Sequence, residues 1–138
     1  MSAYTTAVAR IFALLADPGI QSAVEGRIYE GVAPLECTHP LILVQASTSY
    51  DLPKMGLERG ASRVDISVRV VAANVPSLTA IEPVYDAIDR ALILALPDRS
   101  ARGWVNASER VRETQVTEYG PNGDVYRYLG GVYRVLVS

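Results

Sequence analysis

The fold is decided by residues 63–72, RVDISVRVVA, in which apolar and polar side chains alternate strictly. The apolar side chains stand at every second position, and they are Val64, Ile66, Val68 and Val70. Polar side chains fill the positions between them, namely Arg63, Asp65, Ser67 and Arg69. Because successive side chains of a strand point to opposite faces, this pattern predicts a strand with one packed face and one polar face.

A second strand is predicted immediately upstream, over residues 41–50, LILVQASTSY. Its first half, from Leu41 to Val44, is apolar at every position, which is typical of a central strand that is covered on both faces. Its second half becomes polar, with Ser47, Thr48 and Ser49 in succession. We therefore expect the first half to lie in the core and the second half to lead away from it.

Between these two strands lies a polar, loop-forming arm, residues 51–62, DLPKMGLERGAS. It contains three apolar side chains that a purely solvated loop does not need, namely Leu52, Met55 and Leu57. Charged side chains alternate with them, and these are Asp51, Lys54, Glu58 and Arg59. Such a mixture suits docking onto a protein partner. The alternative is an ordinary long loop whose apolar residues fold back onto their own domain.

Upstream of these strands, residues 2–16 carry apolar side chains at helical spacing and end at Asp17-Pro18-Gly19, which predicts an amphipathic first helix. The side chains that define this spacing are Val8, Ile11, Phe12 and Leu15. A short turn carrying Ile20 and Val24 should follow. Residues 27–29 then predict a brief strand, and residues 30–40 a loop, because of Gly31, Pro34 and Pro40.

Downstream, residues 77–96 predict a second helix with Ser77 as its N-cap and Pro97 after its end. Its expected buried stripe comprises Ile81, Val84, Tyr85, Ile88, Leu92 and Ala95. Two strands should follow, over residues 104–119 and 125–137, joined by a hairpin turn at Asn122-Gly123. Gly130-Gly131 interrupts the alternation of the last strand and predicts a bulge there.

The stretch 109–118, ERVRETQVTE, is polar on both predicted faces and therefore cannot be a central strand. We expect it at an edge of the sheet or projecting beyond the core. Its alternating charges are Glu109, Arg110, Arg112 and Glu113. Two interpretations remain open: these charges pair with a neighbouring subunit, or they merely protect the edge from unwanted pairing.

Composition indicates a single domain over residues 1–138, because 49% hydrophobic content in 138 residues suffices for one well-buried core and is too little for two. The formal net charge is -2 and no block of like charge is present, which argues against stable nucleic-acid binding. The apolar runs are far shorter than the roughly 20 residues of a membrane helix. The N-terminus does not resemble a secretory signal, so we expect the protein on the cytoplasmic side.

Candidate catalytic and metal-binding residues are few. Cys37 and His39 lie two apart, but each is the only residue of its type, which excludes an intramolecular disulfide and leaves a metal site without further Cys or His ligands. We interpret them as a loop cysteine beside a solvent-facing histidine. The carboxylates Glu82, Asp86 and Asp89 share one predicted helix face, and we interpret that face as solvated. The sole lysine, Lys54, lacks the glycine pattern of a phosphate-binding loop. We therefore expect no enzyme activity, no cofactor and no metal.

The succession of apolar and aromatic patches along the chain resembles the tail terminator, or tail-completion, proteins of long-tailed bacteriophages and gene-transfer particles. The patches are GRIYEGVAP at 26–34, HPLILVQ at 39–45, SRVDISVRVVA at 62–72, VYDAIDRAL at 84–92 and YRYLGGVYRVLV at 126–137. The resemblance implies an α+β domain in which helices pack on a mixed sheet. The element order is the one predicted above: helix, three strands, helix, two strands, with the arm between the second and third strands.

The same resemblance implies a structural virion protein of the neck region of the tail, assembled in the host cytoplasm. A homo-oligomer, a hexameric ring, would cap the head-proximal end of the tail tube, stop its growth and bind the tail tube protein and the head-closure protein. DNA would pass through without sequence-specific binding. A head-closure or connector protein is the first alternative. A small-ligand or regulatory domain that dimerises, or an enzyme using Cys37 and His39, would be different classes of protein.

Overall fold

The computed structural model describes residues 3–34, 36–53, 59–94, 98–100 and 103–137, with side chains for residues 3–34, 36–46, 62–94 and 110–137. Three α-helices are present among them, and they are α1 (Ala3–Leu14), α2 (Pro18–Val24) and α3 (Glu82–Ile93). The strands are β1 (Ile28–Glu30), β2 (Leu41–Pro53), β3 (Arg59–Ala73), β4 (Asp98–Ser100), β5 (Gly103–Tyr119) and β6 (Val125–Val137).

The strands form one sheet in the order β1-β2-β3-β6-β5-β4. The short strand β1 runs parallel to β2, and each of the other neighbouring pairs is antiparallel. The sheet is therefore mixed, and the domain belongs to the α+β class, as the sequence predicted. The hairpin turn at Asn122-Gly123 is also confirmed, because Gly123 adopts a positive φ of 82° and Tyr119 pairs with Val125.

The first helix ends at Leu14, two residues before the predicted Ala16, and residues 18–24 form a second helix rather than a turn. The carboxylate of Asp17 accepts hydrogen bonds from the backbone N–H groups of Gly19, at 3.1 Å, and Ile20, at 3.3 Å. Pro18 occupies the first turn, where its missing N–H costs nothing. The tripeptide that was predicted to stop the first helix therefore begins α2, which buries Ile20 and Val24.

The long second helix predicted over 77–96 is shorter and divided. A single 3-10 turn at Leu78–Ala80 precedes α3, and Ser77 caps that turn without a side-chain hydrogen bond. The α-helix itself begins at Glu82, with Pro83 in its first turn. Of the predicted buried stripe, Tyr85, Ile88 and Leu92 are buried in α3. Ala95, also predicted for the stripe, lies outside the described residues.

The hydrophobic core lies between the helices and one face of the sheet. In β3 the apolar alternate positions are completely buried there, as predicted, at Val64, Ile66, Val68 and Val70. Apolar side chains of all three helices and of β2 and β6 complete the core. The opposite face carries no helix among the described residues. On that face Leu41 and Val71 are buried, and Leu41 directly follows the loop that precedes β2. In this loop the ring of His39 lies 5.7 Å from the ring of Tyr126, a residue of β6.

The arm differs from its prediction as a loop. Residues 51–53 continue β2 and residues 59–62 belong to β3, so the antiparallel ladder runs on through Asp51↔Ser62, Leu52↔Ala61 and Pro53↔Arg59. Residues 54–58 lie outside the described part of the chain. The polar composition of the arm had predicted a loop. Backbone hydrogen bonds between two strands do not require apolar side chains, so polar residues can also form a ladder. Most of the arm is a two-stranded β-ribbon.

The predicted bulge at Gly130-Gly131 is also wrong. Both glycines stay in register with β3, opposite Arg69 and Val68, whereas the irregularities lie on β5, between Ala107 and Glu109 and between Arg110 and Arg112. The reason for Gly130 is close contact: a Cβ atom there would overlap the carbonyl oxygen of Val68 and approach the Cα of Arg69 to 2.6 Å.

Candidate protein-interaction surfaces

The first candidate surface is the outer part of the β2–β3 hairpin. Beyond Ser62↔Val137, the last described pair between β3 and β6, residues 52–53 and 59–61 continue the β2–β3 ladder, and no third strand joins it within the described residues. We call this segment the ribbon. Of the predicted contact residues, Leu52 and Arg59 lie in it, whereas Lys54, Met55, Leu57 and Glu58 lie outside the described residues.

The second candidate surface is the free edge of β5. The strand β4 covers that edge only opposite Gly103 to Val105. From residue 106 to Tyr119, no strand in the described part of the chain pairs with β5 on this side. The position agrees with the predicted edge location of 109–118. Exposed apolar side chains are present here, with Val116 41% and Tyr119 80% accessible.

The four charged residues predicted as an alternating row on this edge do not act as one group. The extra residue Val111 shifts the register, so that Arg110 is opposite Tyr133 while Arg112 is opposite Val132. Since directly opposed residues share a face, Arg110 lies on the helix-covered face and Arg112 on the other. Glu113 stays near Arg110, at 3.8 Å, and Glu109 is in register with Arg134.

Arg110 instead belongs to a network that joins β5 and β6 to α3. Its Nη1 donates to the hydroxyl oxygen of Tyr85 at 2.7 Å and lies 3.2 Å from Oδ1 of Asp89. The same Oδ1 accepts a hydrogen bond from the hydroxyl of Tyr133 at 2.8 Å. Burial, followed by this bond to Asp89, raises the pKa of Tyr133 far above its ordinary value.

Sequence reasoning missed this network because it assigned Asp89 to a solvated helix face. Glu82 and Asp86 are indeed exposed, but Asp89 is only half-exposed and has two partners. A signal was available: Tyr85 and Asp89 are four residues apart, and side chains at that spacing lie on the same side of a helix. One of the predicted interface residues, Arg110, thus has an internal structural role.

Apart from buried apolar residues such as Leu41 and Val71, the helix-free face of the sheet carries polar side chains that pair with one another. Asp65 lies 3.4 Å from Nε of Arg134 and 4.0 Å from Nε of Arg63. Nearer the hairpin turn, the guanidinium of Arg69 stacks 5.2 Å above the ring centre of Tyr128, whose hydroxyl donates to Glu118 at 2.8 Å. Burial and that bond raise the pKa of Tyr128. These pairs hold the polar side chains of this face in fixed positions.

The predicted loop pair, Cys37 and His39, is only partly exposed. Cys37 is half-buried, and among the described residues no group of three or more metal-binding side chains is present. His39 is also half-buried rather than solvent-facing, since its ring contacts Tyr126. Burial, together with the nearby charge of Arg27, lowers the pKa of His39. The structure therefore places His39 in the packing between the loop and the sheet.

Fold and surfaces define a small α+β protein with a projecting ribbon and an uncovered strand edge. Residues 9–136 match the family described as tail completion protein gp17, and the chain belongs to that family. Among solved structures, eight chains match. One of them has 12% sequence identity and a TM-score of 0.57, covering 98% of this chain and 96% of its own. That likeness concerns the fold alone. No curated protein matches.

Family membership makes the protein a structural component of a bacteriophage tail, located in the virion and associated with other tail components. Among the described residues, no single helix is long and apolar enough to cross a membrane. The bent pair α1 and α2 meets the length and composition test only when taken together, across an angle of 86°. Both helices bury apolar side chains in the core.

Proposed function

We propose that this protein caps the head-proximal end of the tail tube as a hexameric ring, stops tube growth and joins the tail to the head-closure protein. The observation that carries the proposal is the match of residues 9–136 to the tail-completion family. Completion of a tail requires a protein that binds the last tube subunits on one side and prevents further addition. The fold offers separate surfaces for these contacts.

The ribbon supports the proposal because it extends beyond the last described pair between β3 and β6. A two-stranded ribbon buries little apolar surface of its own and is marginal in water without further packing. Contact with another protein, either a neighbouring copy or the tube, would supply that packing. The sequence of the whole arm, 51–62, contains the apolar residues Leu52, Met55 and Leu57 beside charged ones, a mixture that suits such a contact.

The charge of the chain supports a passive relation to DNA. With 13 basic and 15 acidic residues, each copy has a formal net charge of -2, so a ring of several copies would be negative as a whole. Several of the arginines are already paired with carboxylates or stacked on tyrosine, including Arg69, Arg110 and Arg134. Tight non-specific binding to DNA arises mainly when basic side chains contact phosphates and release counterions from the DNA. A channel with few unpaired basic side chains would make few such contacts and would let DNA pass.

The proposal is tested by removing the protein from an infecting phage and measuring the tails in the lysate by negative-stain electron microscopy. Tails made without it should vary in length, exceed the wild-type length and remain unattached to heads. Complementation with the full-length chain should restore both length and attachment. Tails of uniform normal length beside leaking heads would instead indicate a head-closure protein, and normal particles would exclude both functions.

A further inference from the structure

The sheet has two free edges on opposite sides. On β5, residues 112–119 lie beyond both bulges and are unpaired on their outer side within the described part of the chain. On β2, the strand β1 covers only Ile42 to Val44, which leaves residues 46–53 uncovered in the described residues. An uncovered strand edge presents unpaired N–H and C=O groups that another chain can bind.

On β5, protection against such pairing is confined to the first half of the strand, whereas the β2 segment carries register shifts near Ser47 and at Pro53, close to its two ends. In the first half of β5, β4 covers residues 103–105, and two register shifts interrupt the ladder between Ala107 and Arg112. The second half, RETQVTEY, contains neither proline nor lysine, the residues that most often block an edge. Its described side chains are exposed, apart from the half-buried Thr114. The regular part of the strand is thus accessible.

Strand direction makes these two edges complementary. The strands β2, β3, β6 and β5 alternate in direction, so β5 runs antiparallel to β2 within one chain. In copies related by rotation about an axis, β5 of one copy would therefore lie antiparallel to β2 of the next. An antiparallel ladder is the more stable kind of pairing, and the even number of strands allows it to continue across every junction.

Register supplies an independent geometric check. The middle of the free β2 segment, Ser49, is level with Val135 of β6, whereas the middle of the free β5 segment, Gln115, is level with Leu129. The six-residue difference corresponds to about 20 Å along the strands, and four strand spacings correspond to about 19 Å across them. Pairing the two segments would tilt the strands by roughly 45° from the ring axis, close to the 35–45° of closed barrels.

We propose that residues 112–119 of one copy add as a strand to residues 46–53 of the next copy, and that this heterologous pairing closes the ring. The inference rests on the proposed function, because it assumes a ring of identical chains. A heterologous contact uses two different patches on each subunit and closes when the rotation fits. The two segments proposed to pair, 46–53 and 112–119, span eight residues each within longer uncovered stretches of β2 and β5.

Photo-crosslinking in assembled particles tests the pairing. A benzoylphenylalanine placed at Val116 should give a dimer of this chain whose adduct maps within residues 45–53. The matched position is Leu94, which is 71% exposed at the end of α3 and should give no adduct in that segment. If rings form but position 116 crosslinks only to other proteins, or gives no crosslink, the inference is overturned and the proposed function still stands. Absence of any ring in wild-type particles would overturn both.

Proline substitution provides a second test that does not depend on crosslinking. In a strand, the N–H groups of adjacent residues point to opposite sides, so one of Val116→Pro and Thr117→Pro removes a bond to β6 and the other removes a donor at the free edge. The edge variant should keep the wild-type urea midpoint yet fail to enter rings and join tails. A variant of wild-type stability that still forms rings would contradict the pairing.

Discussion

At the scale of single residues, the groups that sequence reasoning treated as surface charges hold the domain together. Asp89 accepts a hydrogen bond from the hydroxyl of Tyr133 and forms an ion pair with Arg110. Arg110 also donates a hydrogen bond to the hydroxyl oxygen of Tyr85. A half-buried carboxylate with two partners is stable, whereas loss of one partner leaves an incompletely satisfied acceptor. The network thereby fixes α3 against β5 and β6.

The Tyr133→Phe substitution should lower the free energy of unfolding by about 1–2 kcal/mol, because it removes a hydrogen bond to a charged acceptor. Urea unfolding followed by circular dichroism measures the change. Tyr119→Phe is the matched control, since Tyr119 is 80% exposed and its substitution should have almost no effect. Equal midpoints for the two variants would show that the network contributes nothing to stability.

His39 should make stability depend on pH in a predictable direction. Its pKa in the folded protein is lowered by burial and by Arg27, whereas the unfolded chain has the ordinary value of about 6.5. As pH falls from about 7 to about 5, the unfolded state binds the proton first, so the unfolding free energy decreases. Urea titrations of wild type and His39→Gln should show a difference that shrinks on acidification. A constant difference would refute this assignment.

At the scale of secondary-structure elements, the periodicity of apolar residues predicted those elements that are buried on one side. The alternation at 63–72 and the helical spacing at 2–16 correspond to β3 and α1, because each pattern reflects burial on one side. The extension of β2 and β3 through the arm was not predictable from polarity, since its ladder consists of backbone bonds. The bulges on β5 were missed for a similar reason: they depend on the register with β6, which no local pattern encodes.

Glycine substitutions distinguish close contact between strands from a bulge. Gly130→Ala should lower the unfolding free energy by about 2–3 kcal/mol, because β3 and β6 must move apart to accept the new methyl group. Gly131→Ala is the neighbouring control and should cost less, about 1 kcal/mol, since the new Cβ would lie 3.1 Å from both the flexible side chain of Arg110 and the carbonyl oxygen of Arg112, with no overlap of the kind at Gly130. Urea unfolding measures both. An order reversed from this would show that β3 and β6 are not closely spaced at Gly130.

Removal of the ribbon tests whether it is needed for assembly. Deletion of residues 53–60 joins Leu52 to Ala61, which are already paired, and with Leu52→Asn and Ala61→Gly it creates a favourable two-residue hairpin turn. The shortened chain should fold with a wild-type core yet fail to complement tail joining. The control carries the same two substitutions without the deletion. If the shortened chain gives infectious particles, the ribbon is not required for the proposed contacts.

At the scale of the whole molecule, one helix-covered face, one helix-free face and two free edges form a subunit that presents different surfaces on different sides. Identical copies that meet through unlike surfaces form either closed rings or open filaments, depending on the rotation between neighbours. A tail-completion protein must not extend indefinitely, so closure is the expected outcome. The site itself was only partly predictable: sequence indicated an edge at 109–118, but which face each charge occupies followed from the bulges.

The central claim is most directly tested by cryo-electron microscopy of the neck of intact particles, with this chain identified by a label at its C-terminus. The account predicts a single hexameric ring of this protein at the head-proximal end of the tube, with the sheet continuing from each copy to the next. A location at the tail tip, or single copies without contact to each other, would contradict it.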